Sequence, residues 1–203
     1  MLAALAAVAQ KGNWYVGGVA TYASETSKSP SGFTNTLNSW AFGPEVGTFL
    51  KDDIQLGLYV GLGGSSEKDD NGDIASSSEF SPTVYGRKFF TITDNFSAFG
   101  GLYLSYLSGT TKDYPTGGGT NEFGGSGFGF RLGVGIAYAL SPRFTAVGQY
   151  GLLGYQNVNF KANGNDANSV SRFDFGVNTI GYGSNAQSGG IFNIGLYYTF
   201  KQN

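Results

Sequence analysis

The side chains with the clearest capacity for chemistry are the 14 carboxylates, and four of them lie between residues 69 and 79 of one polar tract. These four are Asp69, Asp70, Asp73 and Glu79. A pair of carboxylates can act as general acid and base, but acids crowded among serine and asparagine are typical of a solvated loop. The sequence has no histidine and no cysteine, so it lacks the most frequent general base and every thiolate ligand. We therefore predict no catalytic residues and no enzymatic activity.

The same tract, EKDDNGDIASSSE at residues 67–79, contains a candidate calcium site. It resembles an EF-hand-type loop, with Gly72 at the turn and Ile74 at the hydrophobic position. The candidate ligands are Glu67, Asp69, Asn71, Asp73 and Glu79. Two positions differ from the motif, because Glu67 replaces aspartate and Ser78 stands in place of the bidentate glutamate. An Asn-Gly turn in an exposed acidic hairpin explains the tract as well. We favour the hairpin, which predicts no metal and no cofactor.

Hydrophobic residues recur at every second position along most of the chain, which indicates strands with one apolar face. From Phe128 to Leu140 every even position is aliphatic or aromatic, whereas the odd positions are glycine, alanine or Arg131. Similar alternation predicts eight strands: Trp14–Tyr22, Trp40–Leu50, Ile54–Leu62, Phe80–Phe90, Phe96–Leu107, Phe128–Leu140, Phe144–Tyr155 and Ile191–Phe200.

The connections between these strands alternate in length, which indicates a meander with two different rims. Short turns are predicted at residues 51–53, 91–95 and 141–143. Long polar loops are predicted at residues 24–39, 63–79, 108–125 and 156–190. Short turns at one rim and long loops at the other are typical of outer-membrane barrels.

Aromatic residues bunch near both ends of the predicted strands, as in the girdles that seat a barrel at the two headgroup layers. The short-turn rim is expected to carry Trp14, Tyr15, Phe49, Phe89, Phe90, Phe96, Tyr138, Phe144, Tyr198 and Phe200. The other rim is expected to carry Tyr22, Trp40, Phe42, Phe80, Tyr106, Phe128, Phe130, Tyr155 and Phe192. Charged residues make up only 13% of the chain, so part of its surface faces something other than water. These features predict an all-β fold, an eight-stranded antiparallel up-and-down transmembrane β-barrel.

An eight-stranded barrel encloses only enough space for its own side chains. The predicted inward set is Glu45, Tyr59, Tyr85, Arg87, Phe99, Tyr103, Arg131 and Gln149. Its polar cluster consists of Glu45, Arg87, Arg131 and Gln149. Glu45 is expected to pair with either Arg87 or Arg131, since an unpaired charge would cost several kcal/mol in the lumen. We therefore expect a lumen plugged by side chains, with a gated ion path as the alternative.

The first nine residues are apolar, and Ala7-Val8-Ala9 has the small-x-small pattern of a signal-peptidase site. We interpret residues 1–9 as a signal-peptide remnant and residues 10–203 as a single barrel domain. A short helix is the alternative interpretation of the first segment. The net charge of −2 gives no basic footprint, which predicts that nucleic acid is not a partner.

The last predicted strand ends in NIGLYYTF, residues 193–200, which resembles the C-terminal assembly signal of bacterial outer-membrane barrels. The matching positions are Asn193, Gly195, Tyr198 and Phe200. The chain also contains NWYVGG near its start and FGPEVGTFL at residues 42–50. From about Gln10 to Phe200 it resembles the small eight-stranded barrels of the OmpX and OmpA-transmembrane type.

This resemblance implies a place in the outer membrane of a Gram-negative bacterium, with both termini periplasmic and the long loops extracellular. It also implies a structural or interaction role, such as envelope integrity, adhesion or service as an accessory subunit of an envelope complex. The expected partners are outer-membrane lipid, lipopolysaccharide, the barrel-assembly machinery and a surface or envelope protein. A small porin-like channel and a soluble lipocalin-like carrier are the alternatives.

Overall fold

The computed structural model describes residues 11–30, 32–115, 117–178 and 193–200. In this part of the chain no helix is long and apolar enough to cross a membrane. The strands are β1 (Trp14–Lys28), β2 (Thr34–Lys51), β3 (Ile54–Asp69), β4 (Gly72–Thr93), β5 (Phe96–Asp113), β6 (Asn121–Ala139), β7 (Phe144–Ala162), β8 (Asn165–Asn178) and β9 (Asn193–Phe200). The segment predicted to be a signal remnant lies outside the described residues.

Eight of the strands close into a ring, which confirms the predicted barrel. Each strand from β1 to β7 pairs antiparallel with its successor, and β9 pairs with both β7 and β1. The eighth predicted strand is thus β9, although its predicted first residues, 191 and 192, lie outside the described part. Closure of the ring satisfies the backbone groups that an open sheet edge would expose to lipid.

Strand β8 was not predicted, and it shares one edge of β7 with β9. The part of β7 from Gly151 to Ala162 pairs with β8, whereas the part from Phe144 to Gln149 pairs with β9. The segment predicted as a loop at residues 156–190 therefore contains the end of β7, a tight turn and a further strand.

The two faces of the barrel wall alternate as predicted. On β3 the side chains of Leu56, Leu58 and Leu62 are 44%, 42% and 37% exposed, whereas Gln55 and Tyr59 are 2% and 4% exposed. Exposed leucines on the outside and buried polar or aromatic residues on the inside match a barrel whose solvent is lipid.

The strands continue far beyond their predicted ends on one side of the barrel, so the prediction of long loops there is wrong. Paired strands fill most of residues 24–39, 63–79 and 108–125, with connections only at 29–33, 70–71 and 114–120. We call this side the extended end and the opposite side, with turns at residues 52–53, 94–95 and 140–143, the short-turn end. Most residues on both faces of these extensions are polar, so the alternation that reveals a strand is largely missing from their sequence.

Local turn chemistry explains why these polar segments pair. At the tip between β7 and β8, Asn163 and Gly164 have φ of 48° and 82°, as a type I′ hairpin turn requires. At the tip between β3 and β4, the Asn71 amide donates to Asp69 Oδ1 at 2.7 Å, an Asx turn. Tight turns bring the strands into register without an apolar face.

The aromatic rims are present, but three residues assigned to the short-turn rim lie inside the barrel. Tyr15, Phe49 and Phe89 are buried in the lumen, whereas Trp14 and Phe90 beside them face outward. The assignment was wrong because consecutive residues of a strand point to opposite faces. The outward aromatics of the extended side include Tyr22, Trp40, Phe42, Phe80, Tyr106, Phe128 and Tyr155.

Candidate functional site

The side chain of Arg87 lies at the centre of the lumen, where it is 2% exposed and contacts five other strands. Its Nε donates to the Tyr103 hydroxyl at 2.9 Å, and its Nη2 donates to Gln149 Oε1 at 3.2 Å. Its Nη1 donates to Glu45 Oε1 at 2.9 Å, and to Gln55 Oε1 and the Tyr197 hydroxyl at 3.2 Å each. A planar guanidinium carries five N–H donors in fixed directions, which suits it to joining several strands at one point.

The carboxylate of Glu45 is the second centre of this arrangement. Its Oε1 accepts from Arg87 and from the Tyr85 hydroxyl, and its Oε2 accepts from the Tyr197 hydroxyl at 2.8 Å. The Tyr85 hydroxyl also contacts the Tyr15 hydroxyl. A buried ion pair is tolerated when its remaining polar atoms are satisfied, and both carboxylate oxygens here have donors.

Aromatic rings surround the ion pair. The Arg87 guanidinium carbon lies 4.1 Å from the ring centre of Tyr85, 5.3 Å from that of Phe99 and 5.5 Å from that of Tyr103, distances typical of cation–π contacts. We call the set of Tyr15, Glu45, Gln55, Tyr85, Arg87, Tyr103, Gln149 and Tyr197 the lumen network. It draws side chains from seven of the eight ring strands, and its hydrogen bonds cross the interior of the short-turn half.

Inward glycines make room for these rings. A Cβ added at Gly57 would overlap the Tyr85 ring, and one added at Gly101 would lie 2.8 Å from the Tyr103 ring. A Cβ added at Gly135 would likewise overlap the Phe99 ring. Real Cβ atoms do not approach so closely, so only glycine fits where a ring lies flat on the neighbouring backbone.

The structure brings together three of the four residues predicted as the polar lumen cluster. Glu45, Arg87 and Gln149 belong to the lumen network, and of the two predicted partners Glu45 contacts Arg87. Arg131 also faces inward, but it lies closer to the extended end. On β6 it is four residues away from Gly135, the residue that pairs with Gln149. Which of the two arginines contacts Glu45 depends on the strand register. The alternation of inward and outward residues along one strand does not reveal that register.

Three members of the network, Tyr15, Gln55 and Tyr197, are absent from the predicted inward set. Tyr15 was assigned to the outer rim because it adjoins Trp14 at a strand end, yet Trp14 takes the outward position. Tyr197 occupies the less apolar face of the last strand, opposite Gly17 of β1. The available signal was the inward glycine beside each ring, since Gly47 lies below Tyr15 and Gly17 lies below Tyr197.

The calcium candidates do not come together. Asp69 and Gly72 face each other at the hairpin tip, Glu67 accepts from the Asn35 side chain at 2.6 Å, and Asp73 pairs with Lys68 at 2.9 Å. Glu79 lies well down β4, opposite Gly63. Among the residues that the structure describes, no three acidic side chains are close enough to share a metal ion.

The residues of the predicted assembly signal close the ring. Phe200 pairs with Trp14, and Tyr198 pairs with Val16 on one side and Phe144 on the other. The Tyr198 hydroxyl accepts from Arg143 Nη1 at 2.8 Å, and the Tyr198 ring packs against Phe200 at 4.9 Å between ring centres. Asn193 and Gly195 begin the same strand.

A closed antiparallel barrel with exposed aliphatic residues outside and a satisfied ion pair inside defines the class of transmembrane β-barrels. The chain belongs to the family described as outer membrane protein beta-barrel domain, whose model matches residues 1–200. Membership places the protein in the bacterial outer membrane. No curated protein is significantly similar to it in sequence.

Two solved structures are similar to this chain. The outer membrane protein OprG from Pseudomonas aeruginosa is 17% identical, with 95% of this chain and 98% of that chain covered and a TM-score of 0.50. The translocator domain of the autotransporter NalP from Neisseria meningitidis is 12% identical, with 80% of this chain and 58% of that chain covered and a TM-score of 0.49. At these identities the likeness to OprG concerns the fold alone.

Proposed function

We propose that this protein is a plugged outer-membrane barrel with a structural and interaction role and no enzymatic activity. The barrel anchors the chain, and the extended hairpins contact partners outside the cell. The lumen network carries the proposal, because buried rings and a buried ion pair from seven strands cross the interior. An interior filled in this way leaves little room for a solute.

Ion conduction is the experiment that tests the plug. Purified protein in planar bilayers is expected to show no steady conductance, whereas a Tyr15→Ala, Tyr85→Ala and Tyr197→Ala triple variant should conduct, because three rings leave the lumen. Val84→Ala changes the outward neighbour of Tyr85 and should stay closed. Steady porin-like conductance of the unaltered protein would instead support the small-channel alternative.

A soluble lipocalin-like carrier is the weaker alternative. Such a carrier needs an apolar interior and a wetted exterior, whereas Leu56 and Leu58 are exposed and Arg87 is buried. The polarity of the wall is therefore opposite to that of a carrier for apolar ligands.

We place the short turns and both termini in the periplasm and the extended hairpins outside the cell. Exposed ion pairs support an aqueous setting for these hairpins, since Lys68 lies 2.9 Å from Asp73 and Lys112 lies 3.5 Å from Glu122. Lipopolysaccharide would then contact the outer side of the extensions, and a surface or envelope protein would contact their tips.

Because the chain has no cysteine, single engineered thiols test this orientation cleanly. In intact cells a membrane-impermeant maleimide is expected to label Asp70→Cys at a hairpin tip. The matched variant Asp94→Cys, at a short turn, should be labelled only after the outer membrane is permeabilised. The opposite labelling pattern would reverse the proposed orientation.

Recognition of the last strand by the barrel-assembly machinery is a further part of the proposal. Phe200→Ala should lower the amount of folded protein in cells far more than it lowers refolding into detergent. Phe90→Ala is the matched control, because Phe90 is an outward aromatic of the same rim with similar exposure. Equal losses for the two variants would mean that Phe200 acts only by packing.

A further inference from the structure

One lysine occupies an unusual place on the outer wall of the barrel. Lys88 of β4 faces outward, since its neighbours Arg87 and Phe89 are both buried in the lumen. Lys51, the last residue of β2, lies at the short-turn end, and the other described strand lysines, Lys28, Lys68, Lys112 and Lys161, lie near the extended end of the wall. Lys88 instead lies beside the short turn between β2 and β3, where Ile54 is its cross-strand partner.

The charge of Lys88 is only loosely matched by the protein. Its Nζ lies 3.6 Å from Asp53 Oδ2 and 5.9 Å from the ring centre of Phe90. Charge-assisted hydrogen bonds are usually about 2.7–2.9 Å long, so the ammonium and the carboxylate are near each other without being closely bonded. Both side chains are about half exposed, at 57% and 48%, and an ammonium has three donors to offer.

A shallow depression in the wall adjoins this charge pair. Gly100, the partner of Lys88 on β5, has no atom within 4 Å of an added Cβ, and Gly86 has only the Gln55 carbonyl oxygen at 3.8 Å. The surrounding outward positions are the exposed aliphatic residues Leu56, Leu102 and Val134. The outer surface therefore lacks two side chains, those of Gly86 and Gly100, next to the aliphatic part of the Lys88 side chain.

We propose that Lys88 and Asp53 bind the headgroup of a zwitterionic glycerophospholipid that carries a primary ammonium, with one acyl chain lying over Gly86 and Gly100. The lipid phosphate accepts from the Lys88 ammonium, and the lipid ammonium donates to the Asp53 carboxylate. The two opposite charges of the headgroup thus meet two opposite charges of the protein. The location in the periplasmic leaflet rests on the proposed orientation.

The charge pattern favours this headgroup over an anionic one. A headgroup with a phosphate and no ammonium would gain the contact with Lys88 but would be repelled by Asp53. A lysine that merely extends toward water would bind either lipid without preference. Selectivity between the two headgroups is therefore the property to measure.

The test is native mass spectrometry of the full chain refolded in detergent, titrated with phosphatidylethanolamine or phosphatidylglycerol of identical acyl chains. The unaltered protein is expected to retain phosphatidylethanolamine preferentially. Lys88→Gln should reduce that retention about fivefold, the size of one exposed ionic contact. Asp53→Asn should abolish the preference by improving retention of phosphatidylglycerol. Lys51→Gln, a charge removal at the same rim, should change neither.

Filling the depression gives an independent arm. Gly100→Leu leaves both charges in place and should weaken retention of both lipids equally. If Lys88→Gln fails to fold, as judged by its heat-shift on a gel, Asp53→Asn carries the test. Equal retention of the two lipids by the unaltered protein would overturn the proposal. Because binding in detergent does not depend on orientation, that result would leave the cysteine-labelling test of the proposed orientation unaffected.

Discussion

Some inward glycines of the short-turn half lie under aromatic rings, whereas Gly63 in the extended half does not. In the short-turn half, Gly57 and Gly101 lie directly under the rings of Tyr85 and Tyr103. In the extended half, an added Cβ at Gly63 would meet only ordinary contacts, with the nearest atom at 3.5 Å. Gly57 and Gly101 thus allow rings to pack on the wall, whereas no ring packs on Gly63.

This contrast shows that the two halves are held together by different forces. The short-turn half combines ring packing with a buried ion pair, and its contacts span the interior. The extended half depends on the backbone ladder and on hydroxyl contacts along the wall, such as the 2.8 Å pair between Ser65 and Ser77. We expect the free energy of unfolding to be concentrated in the short-turn half.

Arg87→Met should have the largest effect, because it leaves the Glu45 carboxylate buried without its cation. We expect a loss of about 3–5 kcal/mol in the free energy of unfolding, measured by urea titration of protein refolded in lipid vesicles. Adding Glu45→Gln to the variant should recover part of the loss. A change below about 1 kcal/mol would mean that water, and not protein, surrounds the pair.

The outer surface should show the same division between the halves. Leu132→Arg places a charge on the lipid-facing side of β6 and should cost about 2–4 kcal/mol. Ser126→Arg lies six residues away on the same strand and face, in the extended half, and should cost little. The same urea titration applies, and equal costs would show that the membrane boundary does not fall between these residues.

The glycines themselves can be compared directly. Gly57→Ala should cost about 1–3 kcal/mol, because the new methyl group overlaps the Tyr85 ring and forces it to move. Gly63→Ala should be neutral or slightly stabilising, since alanine restricts the unfolded chain. Similar costs for both substitutions, measured by urea titration, would contradict the distinction between packed and open glycines.

Two hydroxyl pairs of equal length allow a further comparison, and the pair in the extended half should give the smallest effect. Ser77→Ala removes the contact with Ser65 and should cost about 0.5–1 kcal/mol, visible as faster amide exchange of the β3–β4 hairpin alone. Thr83→Val removes the 2.8 Å contact with Ser105 beside the lumen network and should cost about 1–3 kcal/mol because Thr83 is buried. Faster exchange throughout the barrel after Ser77→Ala would mean that the halves unfold together.

The sequence was a good guide to the fold where lipid imposes a pattern. Alternation along residues such as Leu56, Leu58 and Leu62 reveals both the strands and their outward faces, because lipid and lumen demand different side chains. The extensions carry no such demand, so their paired strands were predicted as loops. Strand β8 was also missed, although Phe173 and Phe175 alternate with Arg172 and Asp174 and its Asn163-Gly164 turn is a recognisable hairpin signal.

The candidate site was predictable in its members more than in its contacts. Parity places Glu45, Arg87 and Arg131 in the lumen, but which arginine meets the glutamate depends on the stagger between strands β2, β4 and β6. That stagger is a property of the closed ring and is not encoded in any one strand. Tyr15 was misplaced because two adjacent aromatics at a strand end cannot be told apart by type.

The reach of Tyr197 across the lumen affects the order of events during biogenesis. Its hydroxyl meets Arg87 and Glu45, which lie 110 and 152 residues away along the chain. Contacts over such separations form late, because the intervening chain must first be organised. Without β9, the ion pair lacks its contacts with Tyr197, and the ring lacks the strand that pairs with both β7 and β1. Addition of the last strand therefore closes the ring and completes the contacts of the buried ion pair in one step.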